Sequence, residues 1–182
     1  MPGTLYLGGG GDAHDEAALW EVMLAERPRI AYWPFALADH RLASAEQWFI
    51  DSLQVHHADL PVATWTSLDG HQQHELEDVD LICIGGGNTF HLLDQLRAHG
   101  ALDWLHHHLR RGGDLYGGSA GAVLAGATTA IATGHNPNTT DLATPGDLAG
   151  LGLLPRQVIR PHYTPDLLAE AQAWSAAHAL EV

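Results

Sequence analysis

Hydrophobic and polar positions along this chain follow two alternating rhythms. Thr4-Leu5-Tyr6-Leu7, Arg29 to Phe35, Pro61 to Trp65 and Val79 to Ile84 are short apolar runs bounded by glycine, proline or polar residues, and each predicts a strand. Between the first two, Asp15 to Glu26 places Leu19, Trp20, Val22 and Met23 at helical spacing. Ser44-Ala45-Glu46-Gln47 has the form of a capping box, predicting a helix that opens there and runs through Trp48, Phe49 and Leu53. Helical patterns return at Phe90 to His99 and Ala101 to Arg111, the second stopped by Gly112-Gly113. Asp114-Leu115-Tyr116 predicts a further strand and Arg156 to Arg160 another. A helix over Leu167 to Ala177 follows, and His178 to Val182 reads as the start of one more strand. Asn136 to Gly150, rich in Asn, Thr, Asp, Pro and Gly, predicts a surface loop.

Strand and helix in alternation predict a three-layer, doubly wound α/β domain with a mostly parallel sheet and right-handed crossovers. The near-continuous apolar run Val79 to Ile84 fits a strand covered on both faces. With 182 residues the chain suits a single domain, 1–182, with a full core. Net charge is −14, from 22 acidic residues against 8 arginines and no lysine, a surface that repels phosphate backbones. No nucleic-acid partner is expected. No apolar run approaches the roughly 18 residues of a membrane span, so neither a membrane partner nor a signal peptide is expected. The one cysteine, Cys83, lies inside an apolar run, where it is expected buried and inert. A disulfide within the chain is excluded, which suits a cytoplasmic location.

Gly117-Gly118-Ser119-Ala120-Gly121-Ala122 changes the picture most. A serine between glycines and alanines, after a strand and before an alanine-rich helix, fits a nucleophile elbow. Only residues with little or no side chain can flank so tight a turn. The plainer reading is a glycine-rich turn whose serine caps a helix. Active sites of open parallel sheets form beyond the C-terminal ends of the strands. Two further segments fall at such ends: Gly85-Gly86-Gly87-Asn88-Thr89, and Pro161-His162-Tyr163. Together the three offer a nucleophile, a base and backbone N–H donors, the set that acyl transfer by serine needs.

Ile84-Gly85-Gly86-Gly87-Asn88-Thr89-Phe90-His91-Leu92-Leu93, Gly118-Ser119-Ala120-Gly121-Ala122, and Gly150-Leu151-Gly152-Leu153-Leu154 leading to Pro161-His162-Tyr163 resemble the peptidase E (aspartyl dipeptidase) family of serine peptidases. Cyanophycinase is a more distant relative. The resemblance runs through nearly the whole chain and implies a flavodoxin-like fold related to class I glutamine amidotransferases. It implies Ser119 as nucleophile and His162 as base of a Ser-His-acid triad, with the amides of Gly87 and Ala120 as oxyanion donors. Asn88 would line the substrate site. Gly86 and Tyr163 are further candidates for substrate binding, and the plainer reading of Tyr163, beside a strand end, is packing.

Two departures from the family pattern shape the expectations. The family's acid, usually Glu, follows a strand beyond the helix after the histidine, which places it a few residues past Val182. The C-terminal end is therefore expected to be incomplete relative to the family. Asp141, Asp166, Glu170 and Glu181 are the substitutes within the chain, none at the matching place. The family also reads an N-terminal aspartate with an arginine after the histidine. No Arg or Lys lies between Tyr163 and Val182, and Arg156 and Arg160 precede His162. The expectation is weak or absent cleavage of Asp-X dipeptides.

Other features have plainer readings. In His106-His107-His108 no two rings are three or four apart, and Leu102, Leu105 and Leu109 form the buried stripe, so all three histidines are expected on flanks or solvent faces. His71 and His74 read as part of a solvated turn. Gly8 to Gly11 lacks the full dinucleotide spacing and is followed by Asp12, Asp15 and Glu16, so it predicts the floor or rim of the cleft rather than a phosphate site. No cofactor or metal is expected. Three functions follow: a serine hydrolase acting on short peptides, a non-catalytic relative binding a small ligand or partner, and a histidine-based metalloprotein. The first accounts for most of the motifs. A homodimer is compatible with the sequence.

Overall fold

The computed structural model describes residues 1–11, 14–56, 59–134 and 147–182. Five strands, β1 (Leu5–Gly8), β2 (Ile30–Trp33), β3 (Val62–Thr64), β4 (Leu81–Ile84) and β5 (Asp114–Gly118), form a parallel sheet in the order β1-β5-β4-β2-β3. Helices α1 (Ala17–Leu24) and α2 (Asp39–Gln54) cover one face, and α3 (Thr89–Ala98) and α4 (Ala101–Arg110) the other. Residues of the central strands divide between the two cores by the period-two alternation of a strand. Ile30, Tyr32, Leu81, Cys83 and Tyr116 pack with α1 and α2. Ala31, Trp33, Ile82, Ile84 and Leu115 pack with α3 and α4. This is the flavodoxin-like α/β architecture anticipated. Among the described residues no helix is long and apolar enough to cross a membrane.

Chain direction reverses between β2 and β4. From β2 the chain moves outward to β3, and from β4 it moves back through α3 and α4 to β5. Neighbouring strands whose connections leave in opposite directions open a crevice at their C-terminal ends. Gly85 to Gly87 follow β4 at that point, and β5 beside it leads into Ser119 and the short α5 (Ala120–Ala125). The turn is closed without spare room. A Cβ added at Gly117 would lie 2.5 Å from the carbonyl carbon of Gly121, and one at Gly121 would lie 2.6 Å from the oxygen of Ile84.

Three expectations are corrected. Helix α2 begins at Asp39 rather than at Ser44, whose hydroxyl donates to the Arg41 carbonyl at 3.1 Å from inside the helix. The capping-box geometry occurs instead at Gln72 and Glu75, at a single tight turn. Arg156 to Arg160 is not a strand: it makes one parallel bridge, Gln157 to Glu181. Its backbone groups are used otherwise, since the Gln157 carbonyl accepts from Ala127 N–H at 2.9 Å, and Pro155 and Pro161 bracket it without donors. His108 is buried rather than flanking. Its Nδ1 accepts from Arg111 at 3.0 Å, and Nε2–H donates to the Asp114 carbonyl at 3.0 Å. The stretch 135–146, most of the expected surface loop, lies outside the described residues. The last helix, α6 (Leu168–His178), follows a tight turn at Pro165–Leu167.

Two measurements test this packing. Gly117→Ala is expected to lower unfolding free energy by about 1–3 kcal/mol, read from the urea midpoint, because backbone rather than flexible side chain stands in the way. His108 has its pKa pushed down to about 4, chiefly by burial and then by the Arg111 charge. The unfolded chain, with an ordinary histidine, therefore takes up this proton first on acidification, so stability falls from about pH 6.5 towards pH 4. His108→Gln should remove up to about 3 kcal/mol of that pH dependence.

Candidate active site

Ser119 occupies a backbone conformation that side chains rarely adopt, φ 48° and ψ −102°. Such positions cost about 1–3 kcal/mol and persist only when neighbours over-determine them. Here the Ser119 N–H donates to the Gly8 carbonyl at 3.0 Å, and the Ser119 carbonyl accepts from Val123 N–H at 3.0 Å. Gly86 backs the side chain so closely that a Cβ on it would lie 3.1 Å from the Ser119 Cβ. His162 is also left-handed, at φ 53°, and its N–H donates to the next carbonyl of the same loop, Gly9, at 2.7 Å. The two side chains, 43 positions apart in sequence, meet with Oγ and Nε2 separated by 3.0 Å. A neutral Nε2 in that place can accept the hydroxyl proton.

The loop after β1 is tied down by Glu16. One carboxylate oxygen accepts from Gly10 N–H at 2.9 Å; the other accepts from the Tyr116 hydroxyl at 2.6 Å and from Trp20 Nε1 at 3.2 Å. Burial first, and then the adjacent carboxylate, push the Tyr116 pKa up, which keeps its hydroxyl a donor. Gly10, at φ +82°, lies directly under the imidazole, and a Cβ there would come within 2.4 Å of His162 Cε1. The glycines after β1 thus form the floor beneath the Ser119 and His162 pair, as their sequence suggested.

Gly87, with φ +144°, could carry no side chain because its Cβ would lie 2.2 Å from the Ala36 carbonyl oxygen. Asn88 N–H donates to that same oxygen at 2.7 Å, fixing the loop. Ala120 opens α5 directly after Ser119. Asn88 is turned to another task. Its side-chain oxygen caps α3, accepting from Phe90 N–H at 2.9 Å and His91 N–H at 3.0 Å, and the cavity lining runs through Gly85, Gly86 and Gly87 without it. Tyr163 is 47% exposed and lines a separate groove with Val158, Leu168 and Val182.

Among the described residues, no carboxylate bonds the outer nitrogen of His162. Glu170 pairs with Arg160 at 3.1 Å, Glu181 accepts from Gln157 at 3.1 Å, and Asp166 bonds Thr164, which lowers its pKa. Asp141 lies outside the described residues. Cys83 is fully buried, and burial raises its pKa, as expected of an inert thiol.

Ser119 and His162 open into a cavity of about 560 Å³. Its lining adds residues that sequence reasoning passed over: Glu16, Arg41, Trp48 and Tyr116. Arg41 precedes the Ser44 capping pattern and lies in the first turn of α2. Continuing the helical period back from Phe49 and Ala45 would have put it on the same face.

Comparison with known proteins bears on family and fold. The sequence profile of peptidase family S51 matches residues 5–180. The chain is similar to peptidase E of Haemophilus influenzae, 32% identical over 135 residues that make up 74% of this chain and 57% of the relative. It is likewise 32% identical to peptidase E of Streptomyces coelicolor, over 74% of this chain and 51% of that one. The chain thus spans about half the length of these curated relatives. A crystal structure of a candidate peptidase E from Listeria monocytogenes superposes with TM-score 0.70 at 20% identity, covering 97% of this chain and 88% of that one. A peptidase from an acI-B1 Actinobacterium gives TM-score 0.66 at 20% identity, over 93% and 71%. These two share the fold.

Gly10→Ala is expected to slow covalent labelling of Ser119 by a fluorophosphonate at least about ten-fold, because the added methyl displaces the imidazole. Labelling at the native rate would show that Gly10 does not govern where the ring sits.

Proposed function

The chain belongs to peptidase family S51, and from that membership and the facing Ser119 and His162 we propose that it is a serine hydrolase cleaving short peptides. The observation that carries the reading is the 3.0 Å approach of Oγ to Nε2 over two glycine-rich loops. In the proposed reaction Ser119 Oγ attacks the carbonyl carbon of the scissile amide while His162 Nε2 takes its proton. The developing oxyanion is met by the amides of Gly87 and Ala120, a stabilisation worth about 100- to 1,000-fold in turnover per donor. His162 then protonates the leaving amine, and water repeats the sequence on the acyl-enzyme. Gly86 borders the nucleophile and belongs to the substrate cleft. In this reading Asn88 acts by capping α3 and so holding the oxyanion loop, and Tyr163 has no part in the cleft.

Ser119→Ala and His162→Ala are each expected to abolish fluorophosphonate labelling and to cut hydrolysis of dipeptides by at least about 1,000-fold. A chain that is not labelled and hydrolyses no peptide or amide would overturn the hydrolase reading.

A further inference from the structure

We infer, on the footing of the hydrolase reading, that the cavity beside Ser119 selects a peptide of dipeptide size with a bulky apolar side chain, its free C-terminal carboxylate held by Arg41. The argument begins with α2. Ala45, Trp48 and Phe49 stand four, seven and eight residues beyond Arg41, which puts all four on one face over about 12 Å of the helix. All four line the cavity. Facing them is a continuous aromatic surface. Tyr32 stacks on Phe49 at 4.0 Å and 8°, Trp20 meets Phe49 at 6.0 Å, and Trp20 meets Tyr116 edge-on at 6.0 Å. Trp48 is 55% exposed although it lies on this cavity. An indole left open to water beside a reactive serine is a surface for an apolar group to cover.

Charge restricts where a carboxylate can go. Among the described residues, Arg41 is the one guanidinium in the lining and no acidic side chain pairs with it. Glu16, on the floor with Gly10 and Tyr116, already accepts three donors and repels an anion placed over it. An acidic side chain laid on the floor is therefore disfavoured, and an aromatic or branched aliphatic one is favoured. The volume of about 560 Å³ lies within the roughly 300–1,000 Å³ of small-molecule sites and far below what a folded substrate needs.

The test uses the full chain carrying Ser119→Ala, so that binding is read apart from turnover, with Phe-Leu, Phe-Leu amide and Asp-Leu as probes in calorimetry. Phe-Leu is expected to bind at least about ten-fold more tightly than Asp-Leu. Adding Arg41→Met should weaken Phe-Leu about ten-fold and leave Phe-Leu amide unchanged, and Arg41→Lys should restore part of the loss. Adding Trp48→Ala should weaken both Phe-Leu and its amide. Asp-Leu binding as tightly as Phe-Leu, acid and amide responding alike to Arg41→Met, or no binding of Phe-Leu would each overturn the inference. Turnover by the chain with Ser119 intact separates the two claims. Binding of Phe-Leu without hydrolysis removes the hydrolase and leaves the inference standing, whereas hydrolysis that favours Asp-Leu does the reverse.

Discussion

Two consecutive peptide carbonyls, those of Gly8 and Gly9, hold the backbones of the two side chains that face each other across the site. Gly8 takes the N–H of Ser119 at 3.0 Å and Gly9 takes that of His162 at 2.7 Å. The arrangement follows from strand register. Gly8 pairs with Gly118, so the residue after each strand end emerges beside its counterpart. A segment arriving from far along the chain needs only to bond the next free carbonyl to bring its imidazole over the serine. Backbone hydrogen bonds thus set a geometry in which both residues are held at positive φ.

Such an arrangement leaves no room for side chains around it. Gly10 lies beneath the imidazole, Gly86 backs the serine, Gly87 passes the Ala36 carbonyl, and Gly117 and Gly121 let the strand and helix of the elbow touch. Glycine loses more conformational freedom on folding than any other residue, about 0.5–1 kcal/mol relative to alanine. Part of that cost is offset by the hydrogen bonds of Glu16, which join the glycine loop, α1 and β5 through Gly10, Trp20 and Tyr116. The carboxylate is thus a structural tie first, and its charge shapes the cavity second.

The two faces of the sheet divide the labour. On the side of α3 and α4 the core is almost entirely aliphatic and tryptophan, and among the described residues its one buried ionisable group, His108, is kept neutral chiefly by burial and then by the Arg111 charge. On the side of α1 and α2 the buried aromatic layer of Trp20, Tyr32, Phe49 and Tyr116 also forms part of the cavity wall at the C-terminal end of the sheet. One set of rings therefore closes the core and presents an apolar surface to whatever enters.

The strands, the sheet's parallel sense and the three glycine-rich or histidine-bearing segments were legible because period-two and period-3.6 apolar patterns, and the need for glycine in tight turns, are local properties. The start of α2 is not local information: Ser44 and Gln47 carry a capping pattern inside a longer helix whose first turn includes Arg41. Arg156 to Arg160 has strand-like residues, yet its carbonyls are taken by loops that the sequence does not reveal. His108 is buried because Gly113 leaves space for its ring and Arg111 folds back on it, contacts between a helix and the strand that follows. Sequence by itself determined the fold class, the layered core and the identity of the serine, the histidine and their glycine loops. Only tertiary structure decided that Glu16 ties the floor, that α2 supplies a cationic and aromatic wall, and that Asn88 caps a helix. Those roles depend on distances between segments far apart in the chain, and short-range patterns carry no information about such distances.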